Sequence, residues 1–489
     1  MARPLRVVHV AAEASPYAKT GGLGDVVAAL PPALARAGVD VSVVIPGYRA
    51  VHRAAPVRPV GRVTARVSSH VAEVAISAVD GAPVPTYAVD APAFDRAALY
   101  GEGGHDYPDN AERFVLFCRA ALEWLRAQPT PPDLVHVHDW QAGLVPVFLV
   151  ADRDTRYPEL RATHAIVTLH NLAYQGRFWE ADWHLLNLDR RFFSPELLEF
   201  YGYINFLKGG LVAADTITTV SPRYAEEIRT PAFGEGLDGV LRARTADVVG
   251  ILNGVDYGTW SPDVDTLIPA RYDATDLTGK ARCKAALQAE LGLAVAAAPP
   301  LFAVISRLAE QKGVDLVADV ADELLATSDA QLVVLGSGDP PLENALRALA
   351  ERLPRRVAVR LGFDDALAHR IEAAADLFLM PSRYEPCGLS QLYSLRYGTV
   401  PVVHATGGLV DTVEDYDFAA DRGTGFVFRA FGHTPFLEAI RRALALRQDA
   451  GRWQALQRRG MACDFSWDAA ATRYRALYDA VLARPVRLV

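Results

Sequence analysis

Cysteine is scarce in this chain. Cys118, Cys283, Cys387 and Cys463 are the four present, and they lie far apart without CxxC spacing, which argues against a disulfide framework and against a clustered thiolate zinc site. Long basic runs are missing as well. With a net charge of -8 over 489 residues, neither nucleic acid nor an anionic membrane is expected as a partner, so any anion must be held by local charge. No apolar run reaches the length of a bilayer span: the longest uncharged segment, Leu291 to Ser306, is interrupted by Pro299 and Pro300. Near the amino terminus the apolar stretch is short and reaches Glu13, too little for a secretory signal. A cytoplasmic protein in a reducing compartment is expected.

What is present is a rhythm. Strand-like apolar runs alternate with helical stretches, the pattern of a parallel sheet covered on both faces by helices. LRVVHV, DVSVVI, DLVHVH, AIVTLH and TITTV read as strands of a first series. Residues 51–100 break the rhythm with antiparallel hairpin material, and DNAERFVLFCRAALEWLRA resumes it as an amphipathic helix capped by Asp109 or Asn110. The turn-rich ILNGVDYGTWSPD near the midpoint marks a domain boundary, after which LFAVIS, QLVVLG, RVAVRLG, ADLFLM and VPVVHA form a second series. The expected fold class is therefore α/β, with two Rossmann-like doubly wound domains, 1–250 and 251–460, facing a central cleft, and a final helix, 461–489.

Five stretches carry chemistry. MPSRYEPCGLSQLYSLRYG, Met380 to Gly398, places Glu385 beside Pro386 at the carboxyl end of a buried strand and Gly388 where a helix opens; ligands of open α/β sheets bind at such strand ends. KTGGLGDV puts Lys19, Gly21 and Gly22 ahead of a helix whose first turn holds Asp25, a combination that suits an anion. Its spacing is neither GxGxxG nor that of a P-loop. SRLAEQKG supplies Arg307 as a fork and Lys312 as a point charge for a diphosphate. HVHDW sets His136 and His138 on one strand face with Asp139 and Trp140 beyond it, residues that suit either a metal or the hydroxyls and face of a sugar. His170, in HNLAYQG, follows another strand end. Asp263 and Asp265 read as part of a solvated inter-domain loop.

Taken in order, KTGGLGDV, HVHDW, HNLAYQG, NGVD, SRLAEQKG, PSRYEPCGLSQ and TGGLVDTV (Thr406 to Val413) resemble the bacterial glycogen synthase and plant starch synthase family over nearly the whole chain. The resemblance implies a glycosyltransferase of the two-Rossmann-domain GT-B architecture. It implies an acceptor-side domain at 1–250 with a β-rich insertion about 51–100, a nucleotide-sugar side at 251–460, and a last helix crossing back. Glucose would pass from ADP-glucose to the non-reducing 4-hydroxyl of an α-1,4-glucan, glycogen or a maltooligosaccharide, with retention and with no metal or other cofactor.

Carried over by position, Lys19 and the Gly21–Gly22 loop, with Asp25, would approach the diphosphate from one domain, and Arg307 and Lys312 would grip it from the other. Glu385 and the backbone of Cys387, Gly388, Leu389 and Ser390 would hold the donor glucose and its phosphates. His170 would meet the 6-hydroxyl, Asp139 would lie near the reacting carbon, and Tyr100, Trp140 and Asn253 would line the pocket. Two departures stand out: Tyr393 occupies the place of a second Glu found more broadly among such transferases, and Phe363 stands where some members have a Tyr beside the base. The rival readings are a metal-dependent hydrolase built on His136, His138 and Asp139, and a glucan-binding module without turnover. No pyridoxal phosphate lysine motif of a glucan phosphorylase is found.

Overall fold

The computed structural model of the chain describes residues 3–488. The chain divides into two units: the residues up to Gly254 together with Trp467 onwards, and Val255–Ser466.

The first unit is built on a nine-stranded sheet. Its strands run in the order Val248–Gly250, Thr216–Thr219, His164–Leu169, Leu134–His138, Arg6–Val10, Asp40–Pro46, Thr86–Asp90, His70–Val79 and Val57–Val67. Neighbours are parallel as far as Thr86–Asp90, and the last two strands join antiparallel. The region 51–100 supplies the expected antiparallel hairpin, Val57–Val67 with His70–Val79, and Thr86–Asp90 joins it to the sheet, pairing antiparallel with His70–Val79 on one side and parallel with Asp40–Pro46 on the other. Chain order reverses at Arg6–Val10, so the loops leaving Arg6–Val10 and Leu134–His138 emerge side by side. That is the switch point at which such sheets bind ligands.

Helices cover the sheet for reasons visible in their composition. Asn110–Arg126 buries Phe114, Phe117, Cys118, Ala121 and Leu125 along one stripe, the spacing of a helix face turned to a core. Asp109 stands at its N-cap position but makes no side-chain cap; the carboxylate is taken by Arg96 instead. The first helix begins at Gly22, a residue that the sequence pattern places ahead of it, and runs to Arg36 with Asp25 in its first turn. The last helix, Trp467–Leu482, packs on it, joined by an Arg36–Asp468 ion pair of 2.7 Å.

The second unit is a six-stranded parallel sheet in the order Val357–Leu361, Gln331–Gly336, Leu301–Ile305, Leu377–Met380, Val400–His404, Phe426–Phe428. Successive side chains of one strand feed opposite cores, as strand pleating requires. Phe302 and Val304 join the helices Val314–Thr327 and His433–Arg447 on one face. Leu301 and Ala303 join Thr278–Glu290 and Asp365–Ala374 on the other. Here the order reverses between Leu301–Ile305 and Leu377–Met380, so the loop carrying Arg307 and Lys312 meets the loop carrying Glu385.

Candidate active site

In the second unit the two loops are knitted together. Gly313 adopts φ +67°, and a Cβ there would lie 2.0 Å from the Pro381 carbonyl oxygen, so only glycine lets the loop after Leu301–Ile305 press against the end of Leu377–Met380. The Arg383 amide donates to the Gln311 carbonyl at 2.9 Å. This brings Lys312 Nζ to 2.6 Å from Glu385 Oε2, an oxygen that also accepts from the Ser382 hydroxyl at 3.0 Å. Glu385 is buried and Lys312 half-buried. Arg307 stays exposed, steadied by an N–H donated to Gln311 Oε1 at 3.0 Å. Two cations and a carboxylate thus share one strand-end cluster.

The turn after Glu385 is held by its neighbours' backbone. Gly408 donates its amide to the Glu385 carbonyl at 3.1 Å, and a Cβ on Gly407 would lie 1.9 Å from that same oxygen. The segment TGGLVDTV is accordingly a buttress for the Glu385 turn. Gly388 sits at φ +73°, and Gln391 donates to the carbonyls of Cys387 and Gly388 at 3.0 Å each. Leu389 and Ser390, both half-buried, lead into the helix Ser390–Arg396. Tyr393 on that helix is stacked on Trp260, ring centroids 4.0 Å apart, and Trp260 in turn stacks on His369 at 3.6 Å. Phe363, in the loop after Val357–Leu361, presents a ring that is 87% exposed.

Asp265 departs from the sequence reading. Rather than lying in a solvated loop it is 4% exposed, with His369 Nδ1 2.7 Å and the Tyr397 hydroxyl 2.5 Å from its Oδ2. Both partners lie more than a hundred positions later in the chain, out of reach of any local pattern.

In the first unit the organising group is Glu13, which sequence reasoning used only to end an apolar run. It is 3% exposed. Its carboxylate accepts from the Thr20 amide at 2.7 Å, the Thr20 hydroxyl at 2.6 Å, the Gly21 amide at 3.3 Å and the Tyr100 hydroxyl at 2.8 Å. The shape of the Lys19–Gly22 loop is therefore set by a buried anion. Lys19 Nζ reaches Asp25 at 2.7 Å, while a Cβ added to Gly21 or Gly22 would meet nothing within 4 Å. Burial pushes the Tyr100 hydroxyl well above the usual phenol range, and nearby Tyr48 and Glu13 push it the same way.

Asp139 follows the neighbouring strand and takes φ +54°, a conformation that costs a non-glycine residue energy and recurs at functional positions. Its Oδ1 accepts the His170 amide at 2.8 Å. Burial pushes its carboxyl up to about 7, against the amides of His170 and Asn171 that favour the ionised form. Trp140 is fixed by packing: Phe114 meets its ring at 4.9 Å, and a Cβ on Gly176 would lie 2.4 Å from the indole. Asn253, beyond Val248–Gly250, is buried with its Oδ1 lacking a partner among the described residues.

The strand histidines are not open ligands. His136 and His138 are fully buried, so neither meets a sugar hydroxyl as the sequence pattern allowed. His9, His136 and His138 do form a group close enough to consider for a metal. Yet His136 Nδ1 lies 2.7 Å from the Tyr478 hydroxyl and its Nε2 2.5 Å from the Thr168 hydroxyl, and His138 has a histidine on each nitrogen. Both ring nitrogens of His136 and of His138 are thus taken up by protein partners, and His9 Nε2 alone of the three rings' nitrogens is left without one among the described residues.

Comparison with known proteins converges with this geometry. Residues 6–243 match the starch synthase catalytic domain model, and residues 293–459 match that of glycosyl transferases group 1. A glycogen synthase from Anaeromyxobacter sp. (strain Fw109-5) is 52% identical over 98% of this chain and 100% of its own length. One from Myxococcus xanthus (strain DK1622) is 45% identical over 98% and 100% respectively. The catalytic domain of starch synthase IV from Arabidopsis thaliana, solved bound to ADP and acarbose, superposes with a TM-score of 0.89 at 34% identity, covering 99% of this chain and 100% of that one. The two doubly wound units and these likenesses together assign the chain to the glycogen synthase and starch synthase family of GT-B glycosyltransferases.

Proposed function

We propose that this enzyme elongates an α-1,4-glucan, transferring glucose from ADP-glucose to the 4-hydroxyl at the non-reducing end with retention of the α configuration. The observation that carries this reading is the cluster of Arg307, Lys312 and Glu385 at the switch point of the second unit, in a chain whose relatives are named glycogen synthase. Breaking the bond between the anomeric carbon and the diphosphate builds negative charge on the leaving oxygens and positive charge on the sugar ring. Arg307 and Lys312 answer the first charge. An ammonium has three N–H donors, so Lys312 can keep Glu385 and still receive a phosphate oxygen.

On this reading Glu385 and the Cys387–Ser390 backbone hold the donor sugar and its phosphates, and Phe363 offers its exposed ring to the base. Tyr393, built into an aromatic stack, leaves the ribose without a carboxylate partner from that position. From the first unit, Asp139 supplies negative charge for the developing cation, and His170 meets the 6-hydroxyl. Lys19, Gly21 and Gly22 offer a cation and open amides to phosphate, with Asp25 orienting Lys19. Tyr100, Trp140 and Asn253 contribute to the pocket wall. The chemistry needs no metal or other cofactor, and no helix among the described residues is long and apolar enough to cross a membrane.

Initial rates of glucosyl transfer from ADP-glucose and UDP-glucose to short maltooligosaccharides test both class and donor. Faster transfer from ADP-glucose, unchanged after chelation, is expected. Absence of transfer from either donor, or loss of activity to a chelator, would overturn the proposal.

A further inference from the structure

Three adjacent strands of the first unit each bring a histidine to the same sheet face at their carboxyl ends. His9 lies on Arg6–Val10, in register with His136. His138 lies two positions further along its strand, in register with Thr168, and His170 follows Thr168 by two. Because strand side chains alternate with a period of two, these groups share one side of the sheet.

Their contacts form a line. His9 Nδ1 is 3.0 Å from His138 Nε2, and His138 Nδ1 is 3.0 Å from His170 Nε2. His9 and His138 are fully buried. His9 Nε2 is buried without a partner, whereas His170 is half-buried and, among the described residues, its ring is bonded only at Nε2. His136 stands beside the line rather than in it, its ring 4.6 Å from those of both His9 and His138 and pinned by Tyr478 and Thr168.

Burial holds these imidazoles neutral, with His9 and His170 lowered to about 3, so each carries one N–H. Two nitrogen-to-nitrogen contacts among three neutral rings admit two arrangements, because a ring that donates from one nitrogen must accept at the other. In one, His9 donates to His138 and His138 to His170, leaving the only proton of His170 on Nδ1. In the other every proton is reversed, and His9 keeps a buried N–H with nothing to accept it. Orphaned buried N–H groups are rarer than orphaned acceptors, which selects the first arrangement.

We propose that His9 and His138 are positioning residues that fix His170 as its Nδ1–H tautomer, so that its accessible edge is a hydrogen-bond donor. Resting on the reading above, that donor serves an oxygen of the donor sugar, the 6-hydroxyl. The hydroxyl accepts from His170 and keeps its own proton for another partner.

Long-range proton–nitrogen spectra of the full-length chain labelled with ¹⁵N-histidine test the assignment, His170 being identified by the signal lost in His170→Gln. A protonated Nδ1 and bare Nε2 on His170 are expected; the opposite pattern in the parent protein overturns the proposal without any variant. His9→Asp, able only to accept at that position when ionised, should invert the His170 pattern, and His9→Asn, able to donate, should keep it. An unchanged pattern in a folded His9→Asp protein would remove His9 from the role. With ADP-glucose, kcat/KM should fall about tenfold in His9→Asp, the size of one hydrogen bond, and recover in His9→Asn. With ADP-6-deoxyglucose the parent and His9→Asp should differ little, which a purely structural defect would not produce. If the spectra agree and no glucosyl transfer occurs, the tautomer assignment stands and the functional reading falls.

Discussion

Lys312 and Arg307 carry equal charge in unequal settings. Lys312 is drawn onto a buried carboxylate, while Arg307 is exposed and its guanidinium donates to the neutral Gln311 Oε1. Arg307→Ala and Lys312→Ala should each lower kcat by about 10²–10³ with the fold intact, the usual effect of removing one fixed charge-stabilising donor. Near-normal turnover in both would remove the diphosphate role. Asp139 gives a pH signature. Its carboxyl titrates at about 7 when folded, against about 3.9 in an unfolded chain. The folded state binds the extra proton, so this group favours folding fully below the unfolded value and that benefit is lost as pH rises through about 7. Asp139→Asn carries no charge. Relative to the parent, its melting temperature should be higher at pH 8 than at pH 4; equal differences at both would show that the carboxyl is not destabilised by burial.

Single residues also mark where sequence reading stops. Lys312 and Glu385 were legible because each follows an apolar strand and precedes a helix. Glu13 and His9 were not: one reads as the charge that ends an apolar run, the other as a polar interruption within it. Their roles come from partners such as Tyr100 and His138, far away in the chain.

At the scale of elements, glycines decide how closely loops approach. Gly313 has both a left-handed backbone and a carbonyl oxygen in the place of a side chain, while Gly292, at φ +75°, has open space around it. Either substitution by alanine costs about 1–2 kcal/mol for the backbone conformation. Gly313→Ala must also displace Pro381, and Lys312 with it. Thermal melts should therefore show a larger loss for Gly313→Ala, and kcat should fall in that variant only; equal losses with full activity in both would show that the loop has room to relax. Most sheet strands were legible as apolar runs bounded by turns. The small sheet of Arg177–Trp179, Glu199–Phe200 and Tyr203–Asn205 was not, since two or three residues are too few to display a period of two. The capping role expected of Asp109 failed because Arg96 competes for the same carboxylate. Asp364 does cap its helix, accepting the Leu367 amide at 2.8 Å.

At the scale of the whole molecule, the two units obey one rule: each reverses its strand order beside its first strand, and each gathers its charged loops there. That rule made the class of fold readable from the alternation of strands and helices, whereas the pairing of Thr86–Asp90 with two neighbours needed the assembled sheet. A chain with net charge -8 must bind a nucleotide diphosphate against its overall field. Binding then depends on the local cations, and ADP should stabilise the folded protein by about 2.7 kcal/mol at a hundredfold excess over Kd. Differential scanning fluorimetry should show the melting temperature rising with ADP in the parent and barely moving in Arg307→Ala; an equal rise in both would place the nucleotide elsewhere.

The sandwich of His369, Trp260 and Tyr393 has an optical consequence. An indole pressed between two other rings, one of them hydrogen-bonded to the buried Asp265, reports on whatever shifts either ring. Tyr393 rides on the helix that begins five residues after Glu385, so the emission of Trp260, separated from that of the other six tryptophans by comparison with Trp260→Phe, should register a repositioning of that helix with no external label required.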